Sequence, residues 1–173
     1  MRKVIMLGLA TLLSAADLST AIEIPDATEI LLKDALPAPK LYTMPAGCIV
    51  EDTAAIARGN YIFHNLNGKD AKENPPAGLT RLLPNGKEKQ MGNCVACHNI
   101  EGAQGYGNIG PDLTNYKELY MDSGARNGQF LYQQIADPRL DNPKTHMTVN
   151  LANGLFSERE VCDLMSYIVS KKQ

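Results

Sequence analysis

An all-α fold is predicted by three observations on this chain of 173 residues. Two segments carry helix-capping signals, a third has helical spacing bounded by a proline, and a five-residue motif between them needs a helical turn to work. The first helix runs from about Thr53 to Phe63 with Asp52 as N-cap, and Ile56, Gly59, Asn60 and Phe63 share a face. Glycine inside a helix costs about 1 kcal/mol relative to alanine. Gly59 therefore marks either a close backbone approach or the end of a short helix. The middle helix is NGQFLYQQIA, Asn127 to Ala136, with Leu131 and Ile135 inward and Asp137-Pro138 as the stop. The last helix opens on a capping box, Ser157 to Glu160, with Phe156 and Val161 as hydrophobic staple. It continues to about Ser170 with Val161, Leu164, Met165 and Ile168 on one face, and Lys171 and Lys172 suit its C-terminal dipole.

The chain begins with Arg2 and Lys3, the apolar run Val4 to Leu13, and then small and polar residues. That is the layout of a secretory signal peptide over residues 1–21, with Ser19-Thr20-Ala21 as the cleavage site; an uncleaved anchor is the alternative. Export implies the periplasm. Removing Arg2, Lys3 and Asp17 takes 17 basic and 19 acidic residues to 15 and 18, a formal charge of −3. A mildly acidic chain argues against nucleic-acid binding, and no later run is long enough to span a membrane.

Residues 22–50 form an N-terminal arm interrupted by four prolines, with ATEILLKDAL as its one helical stretch. Its apolar residues, Ile30, Leu31, Leu32, Leu36, Leu41 and Tyr42, suggest packing along its own domain or a partner's; a floppy leader is the competing reading. The domain proper occupies residues 51–173, with an insertion at about 64–93 that holds five basic and three acidic residues. A hairpin turn is expected at Pro84-Asn85-Gly86. The insertion reads as a solvated loop or, more pointedly, as a docking surface.

Chemistry centres on Cys94-Val95-Ala96-Cys97-His98. A Cys-x-x-Cys-His run is the attachment signature of c-type haem: two thiols on one turn add to the vinyl groups, and the following histidine meets the iron. A dithiol redox pair or half a zinc site would use the same cysteines. Zinc would require a second matched pair, and only the separated Cys48 and Cys162 remain. A redox motif should follow a strand, whereas KEKQMGN ahead of Cys94 is polar without a strand pattern. After the motif, GAQGYGNIGPDLTNY has glycines that let the backbone pass closely around a flat cofactor, and Pro111 fixes a turn. For the sixth ligand the choice is Met147, in the loop before the last helix, with His146 as competitor. Met91 lies near the motif, Met121 between segments, Met165 in a helix core, and His64 reads as a surface or loop histidine. Cys48 and Cys162 either pair across the fold or stay apart, Cys162 buried and Cys48 free.

Together, ARGNYIF, CVACH, GNIGPDL, the Met147 loop and the capped last helix resemble a class I cytochrome c. The resemblance implies one covalently attached haem c. It also implies Gly59 and Phe63 packing on Tyr167, and the Pro111 carbonyl accepting a hydrogen bond from His98. Within that family the likeness is strongest to the SoxX subunits of SoxAX cytochromes, carried by GNCVACHNIEG, GNIGPDLTNY, ADPRLDNPKTHM and LFSEREVCDLMSYIVSK. His146-Met147-Thr148 departs from that family's Met-Pro pattern, and the 30 residues between Phe63 and Cys94 exceed a minimal cytochrome c. The likeness implies an electron-relay subunit in a heterodimer with a SoxA-like haem subunit. The complex would couple thiosulfate oxidatively to a carrier-protein cysteine, as an L-cysteine S-thiosulfotransferase, with the sulfur chemistry on the partner subunit. Electrons would leave one at a time to a soluble cytochrome c. A diffusible shuttle cytochrome, a subunit of another periplasmic dehydrogenase, and a structural or ligand-sensing haem protein with an open distal site are the competing functions.

Overall fold

The computed structural model describes residues 36–66, 71, 73–103 and 107–170, all within a unit spanning Leu36–Gln173. The expected signal peptide, most of ATEILLKDAL, and Lys171 and Lys172 lie outside the described residues. Three α-helices carry the architecture: α1 (Thr53–His64), α2 (Gly128–Ala136) and α3 (Glu158–Val169). Among the described residues, β structure is limited to one isolated bridge, Leu82 with Glu88.

Each helix starts where its capping chemistry puts it. The Asp52 carboxylate accepts from the Ala54 and Ala55 amides, and the Asn127 side chain accepts from Phe130. Ser157 and Glu160 close the reciprocal capping box. α1 and α3 then cross at Gly59, where a β-carbon would lie 2.0 Å from the Asp163 carbonyl oxygen and 2.7 Å from Tyr167 Cβ. Gly59 is therefore a close approach of two backbones rather than a helix end. Beside it, Arg58 forms a forked pair with Asp163, Nε to Oδ2 at 2.7 Å and a second guanidinium nitrogen to Oδ1 at 2.8 Å. Both side chains are almost wholly buried.

The inward face of α1 differs from the expected one. Ala55, Arg58, Gly59, Tyr61, Ile62 and Phe63 are buried, Ile56 is partly so, and Asn60 is exposed. Asp163 makes a buried arginine tolerable, so the face rotates toward Arg58 and away from Asn60. His64 is not a loop residue: it ends α1, and its Nε2 lies 2.8 Å from the Tyr167 hydroxyl. Phe63 and Tyr167 meet at 5.5 Å between ring centroids, as the family resemblance implied. On α3 the four expected residues are buried together with Tyr167, and Phe156 just before its cap is buried too.

Residues 40–50 pack along α2 and α3. Gln129 and Gln133, one turn apart on α2, hold the backbone like a pair of clips. Gln133 accepts from the Tyr42 amide at 2.8 Å and donates to the Lys40 carbonyl. Gln129 accepts from the Met44 amide at 2.8 Å and donates to the Tyr42 carbonyl at 2.7 Å. Further along, the Val50 amide donates to Ser166, and Cys48 is disulfide-bonded to Cys162 with a Cα–Cα distance of 4.8 Å. This settles the pairing that spacing left open.

The segment before the motif is held more firmly than a solvated loop. Ala71 is buried, Leu79 packs on the core, and Lys89 reaches Glu160 of α3 at 2.6 Å. Its hairpin turns at Pro84-Asn85-Gly86: the Leu83 amide donates to the Lys87 carbonyl at 2.7 Å, and Gly86 takes φ +77°. One element had no sequence signal, a π-helical turn over Lys117–Asp122 that stacks Tyr116 on Tyr120 and contains Met121.

Substituting Gly59 by alanine should cost about 1–3 kcal/mol, the usual range for overpacking. The methyl group meets backbone that has no rotamer with which to yield. Thermal unfolding of the haem-loaded protein checks this; an unchanged midpoint would mean that the helices separate at no cost.

Candidate haem site

Cys94–Ala96 forms a single 3-10 turn, entered through Asn93 in the left-handed region at φ 44°. Asparagine tolerates that conformation better than most residues, and here it reverses the chain directly before the first thiol. The Asn93 amide donates to the Asn65 carbonyl and the Gly92 amide to the Ile62 carbonyl, which hangs the turn from the end of α1. His98 donates its backbone N–H to the Cys94 carbonyl at 2.9 Å, so all three motif side chains arise from one turn. Cys94 and Cys97 are not disulfide-bonded, and both are partly exposed as residues. Burial pushes the Cys94 thiol up to about 12, so in the haem-free chain it is a neutral thiol.

The Nδ1 of His98 lies 2.8 Å from the Pro111 carbonyl oxygen. A carbonyl can only accept, so Nδ1 carries the proton and the neutral ring keeps its lone pair on Nε2. Glycines bring the partner segment this close. A β-carbon on Gly110 would lie 2.3 Å from His98 Cε1, and one on Gly107 would lie 2.1 Å from the Ala96 carbonyl oxygen. Asp112, next to Pro111, accepts from Thr114 and Asn99, and these bonds hold its carboxyl below the usual carboxylate range.

Met147 lies in the loop between α2 and α3, half-buried, while His146 beside it is exposed. The Met147 amide donates to Thr145 Oγ1 at 3.1 Å. The loop is pinned on both sides. Before it, the fully buried Asp137 carboxylate accepts from the Arg139 amide and both ends of its guanidinium. After it, Asn150 donates to the Ile135 carbonyl at 2.7 Å and accepts from Thr148 at 2.8 Å. Neither Asp137 nor Asn150 stood out in the sequence, although Asp137-Pro138 was read as a helix stop. The sequence signal for both was weak: a polar residue at each edge of a loop expected to bear a ligand.

These residues fit a c-type haem. Two unpaired thiols and an Nε2 lone pair arise on one turn, and Gly107 and Gly110 let the facing backbone wall close on that turn and on the His98 ring. The zinc alternative loses its second cysteine pair, because Cys48 and Cys162 are bonded to each other. Among the described residues, no cluster of three or more His, Cys, Asp or Glu is placed to hold a metal ion.

Gly110→Ala should push the His98 ring off the Pro111 carbonyl and cut the yield of covalently loaded protein, read as the haem-to-polypeptide ratio after expression. Normal loading would show that the wall yields freely. Asp137 gives a pH prediction. Its bonds from Arg139 hold the folded carboxyl below the usual range. Its stabilisation is therefore complete above the unfolded value of about 3.9 and is lost as pH falls through the lower folded value. Asp137→Asn should be less stable at neutral pH and show a shallower acid limb in denaturation from pH 7 downward; parallel limbs would contradict this.

Comparison with known proteins agrees with the geometry. The cytochrome c family model matches residues 83–172, just over half of the chain, from the hairpin to the end of α3. Cytochrome c-554(548) of Halomonas halodenitrificans is 28% identical over 85 residues, 49% of this chain and 92% of that protein. Covalently bound haem c and electron transfer come with that membership. The chain belongs to the cytochrome c family.

Proposed function

We propose that this chain is the electron-relay subunit of a periplasmic SoxAX-like complex that oxidatively couples thiosulfate to a carrier-protein cysteine. In this reading Cys94 and Cys97 would bind one haem c covalently, and His98 and Met147 would supply its iron ligands. When bound, the haem supplies a one-electron couple whose potential a thioether ligand raises. The chain's own residues hold that group and shape its surroundings. Pro111 fixes the His98 tautomer, and Asp137 and Asn150 keep the Met147 loop in place. The half-burial of Met147 beside an exposed His146 favours the thioether over the imidazole. The signal sequence over residues 1–21 and the Cys48–Cys162 disulfide favour export to an oxidising compartment.

The observation that carries the subunit reading is the added structure around the cytochrome core. Residues 40–50 are clipped to α2 and covalently tied to α3, and an ordered hairpin leads into the haem motif. A minimal shuttle needs neither. The hairpin also presents Leu82 and Leu83 to solvent, and Ile109 beside the motif is 73% exposed. Sulfur chemistry belongs to the SoxA-like haem partner, since no free thiol beyond Cys94 and Cys97 occurs among the described residues. Electrons pass on to a soluble cytochrome c.

Native purification from periplasm tests the assignment. A second c-type cytochrome should co-purify, and thiosulfate with the carrier protein should reduce added cytochrome c. A lone monohaem protein that thiosulfate never reduces would leave a diffusible shuttle as the better account. Separately, Met147→Ala should abolish the sulfur-to-iron charge-transfer band of the ferric protein, and an unchanged band would remove Met147 as ligand.

A further inference from the structure

Residues 107–113 run beside the motif in a regular ladder. The Gly107 amide donates to the Val95 carbonyl at 2.9 Å, Gly110 to Cys97 at 2.8 Å, and Leu113 to Asn99 at 2.8 Å. Pro111 has no N–H, so the residue whose carbonyl meets His98 adds no donor of its own to the ladder. Its carbonyl position depends on its neighbours. The next rung is the only one in this stretch made between side chains: Asn99 Nδ2 donates to Asp112 Oδ2 at 2.7 Å. The other carboxylate oxygen, Oδ1, accepts the Thr114 amide at 2.8 Å, which closes the turn behind it. Asn99 follows His98 and Asp112 follows Pro111. The pair therefore joins the two segments one residue beyond the ligand hydrogen bond.

We propose that Asn99 and Asp112 form a positioning clamp that sets the strength of the His98–Pro111 hydrogen bond and, through it, the reduction potential of the bound haem. The inference rests on His98 being the proximal ligand. A carbonyl held firmly on Nδ1–H draws the proton outward and makes the imidazole a stronger electron donor. Stronger donation favours the ferric state and lowers the potential. Loosening the clamp lets the Pro111 carbonyl drift, weakens that donation and raises the potential. The Asp112 carboxylate also contributes negative charge, which favours the ferric state directly. The two effects separate by mutation: Asn99→Ala removes the clamp and keeps the charge, whereas Asp112→Asn removes the charge.

The test uses the full haem-loaded protein and two readouts: the midpoint potential, and the hydrogen-exchange rate of the His98 ring N–H in the ferrous state by NMR. Asn99→Ala should raise the potential and speed ring N–H exchange by about fivefold, the scale of one lost hydrogen bond. Asp112→Asn should also raise the potential. If Asn99→Ala matches the wild type in both readouts while Asp112→Asn raises the potential, charge alone is responsible and the clamp is overturned. A lower melting temperature with unmoved potential and exchange would make the pair merely structural, and overturns it too. Should Asn99→Ala accumulate without haem, Asn99→Ser carries the same expectation, since its hydroxyl is too short to reach Asp112. A His98→Ala protein with the wild-type visible spectrum would refute the ligand assignment itself, a result distinct from failure of the clamp.

Discussion

The contact between α1 and α3 at Gly59 is the constraint on which the rest of the domain depends. Only a residue without a β-carbon lets the Asp163 backbone come so near. That proximity brings Arg58 within a forked hydrogen bond of Asp163 and packs Phe63 against Tyr167. Removing one partner of such a buried pair costs about 3–5 kcal/mol, more than the pair adds over an apolar substitute. Its contribution is thus less net stability than an intolerance of other helix registers. Because the motif turn hangs from Ile62 and Asn65, the register of α1 on α3 also sets where the two thiols and His98 emerge.

What the sequence revealed was local. The Ser157–Glu160 box and the Asp52 cap act within four residues, so their signals survive without tertiary information. The Cys94-to-His98 spacing is local in the same sense. Features decided across the fold were harder to see. Arg58 did not stand out in the sequence because its partner is 105 positions away, and Asn60 was placed on the inward face while Arg58 was not. His64 looked like a loop residue because Tyr167, its hydrogen-bond partner, is 103 positions away. The π-helical turn at Lys117–Asp122 has neither the 3.6-residue period nor a cap, so nothing in the sequence announces it. The Pro111 carbonyl was legible by family resemblance, whereas the Asn99–Asp112 rung beside it was not.

Residues 40–50 show how a chain segment can be held through its backbone as well as through the apolar contacts of Tyr42, Met44 and Ile49. Two glutamines one turn apart use each amide as donor and acceptor, matching the alternation of N–H and C=O on an extended strand. Leu41 can therefore stay exposed while the backbone on either side is satisfied. The arrangement imitates one edge of a β-sheet, with side chains replacing the second strand.

The disulfide has a consequence for how the chain matures. Cys48 and Cys162 are 114 residues apart and enclose the whole Cys-x-x-Cys-His segment in a covalent ring. Four thiols can pair in three ways. The neighbours Cys94 and Cys97 close the shortest loop, and the entropy of closure therefore favours them in an unfolded chain. An indiscriminate oxidant would thus consume the pair needed for thioether formation and strand the pair needed for the ring. Biogenesis must distinguish the two sets of thiols in time, keeping the central pair reduced until its cofactor arrives while the distant pair is joined.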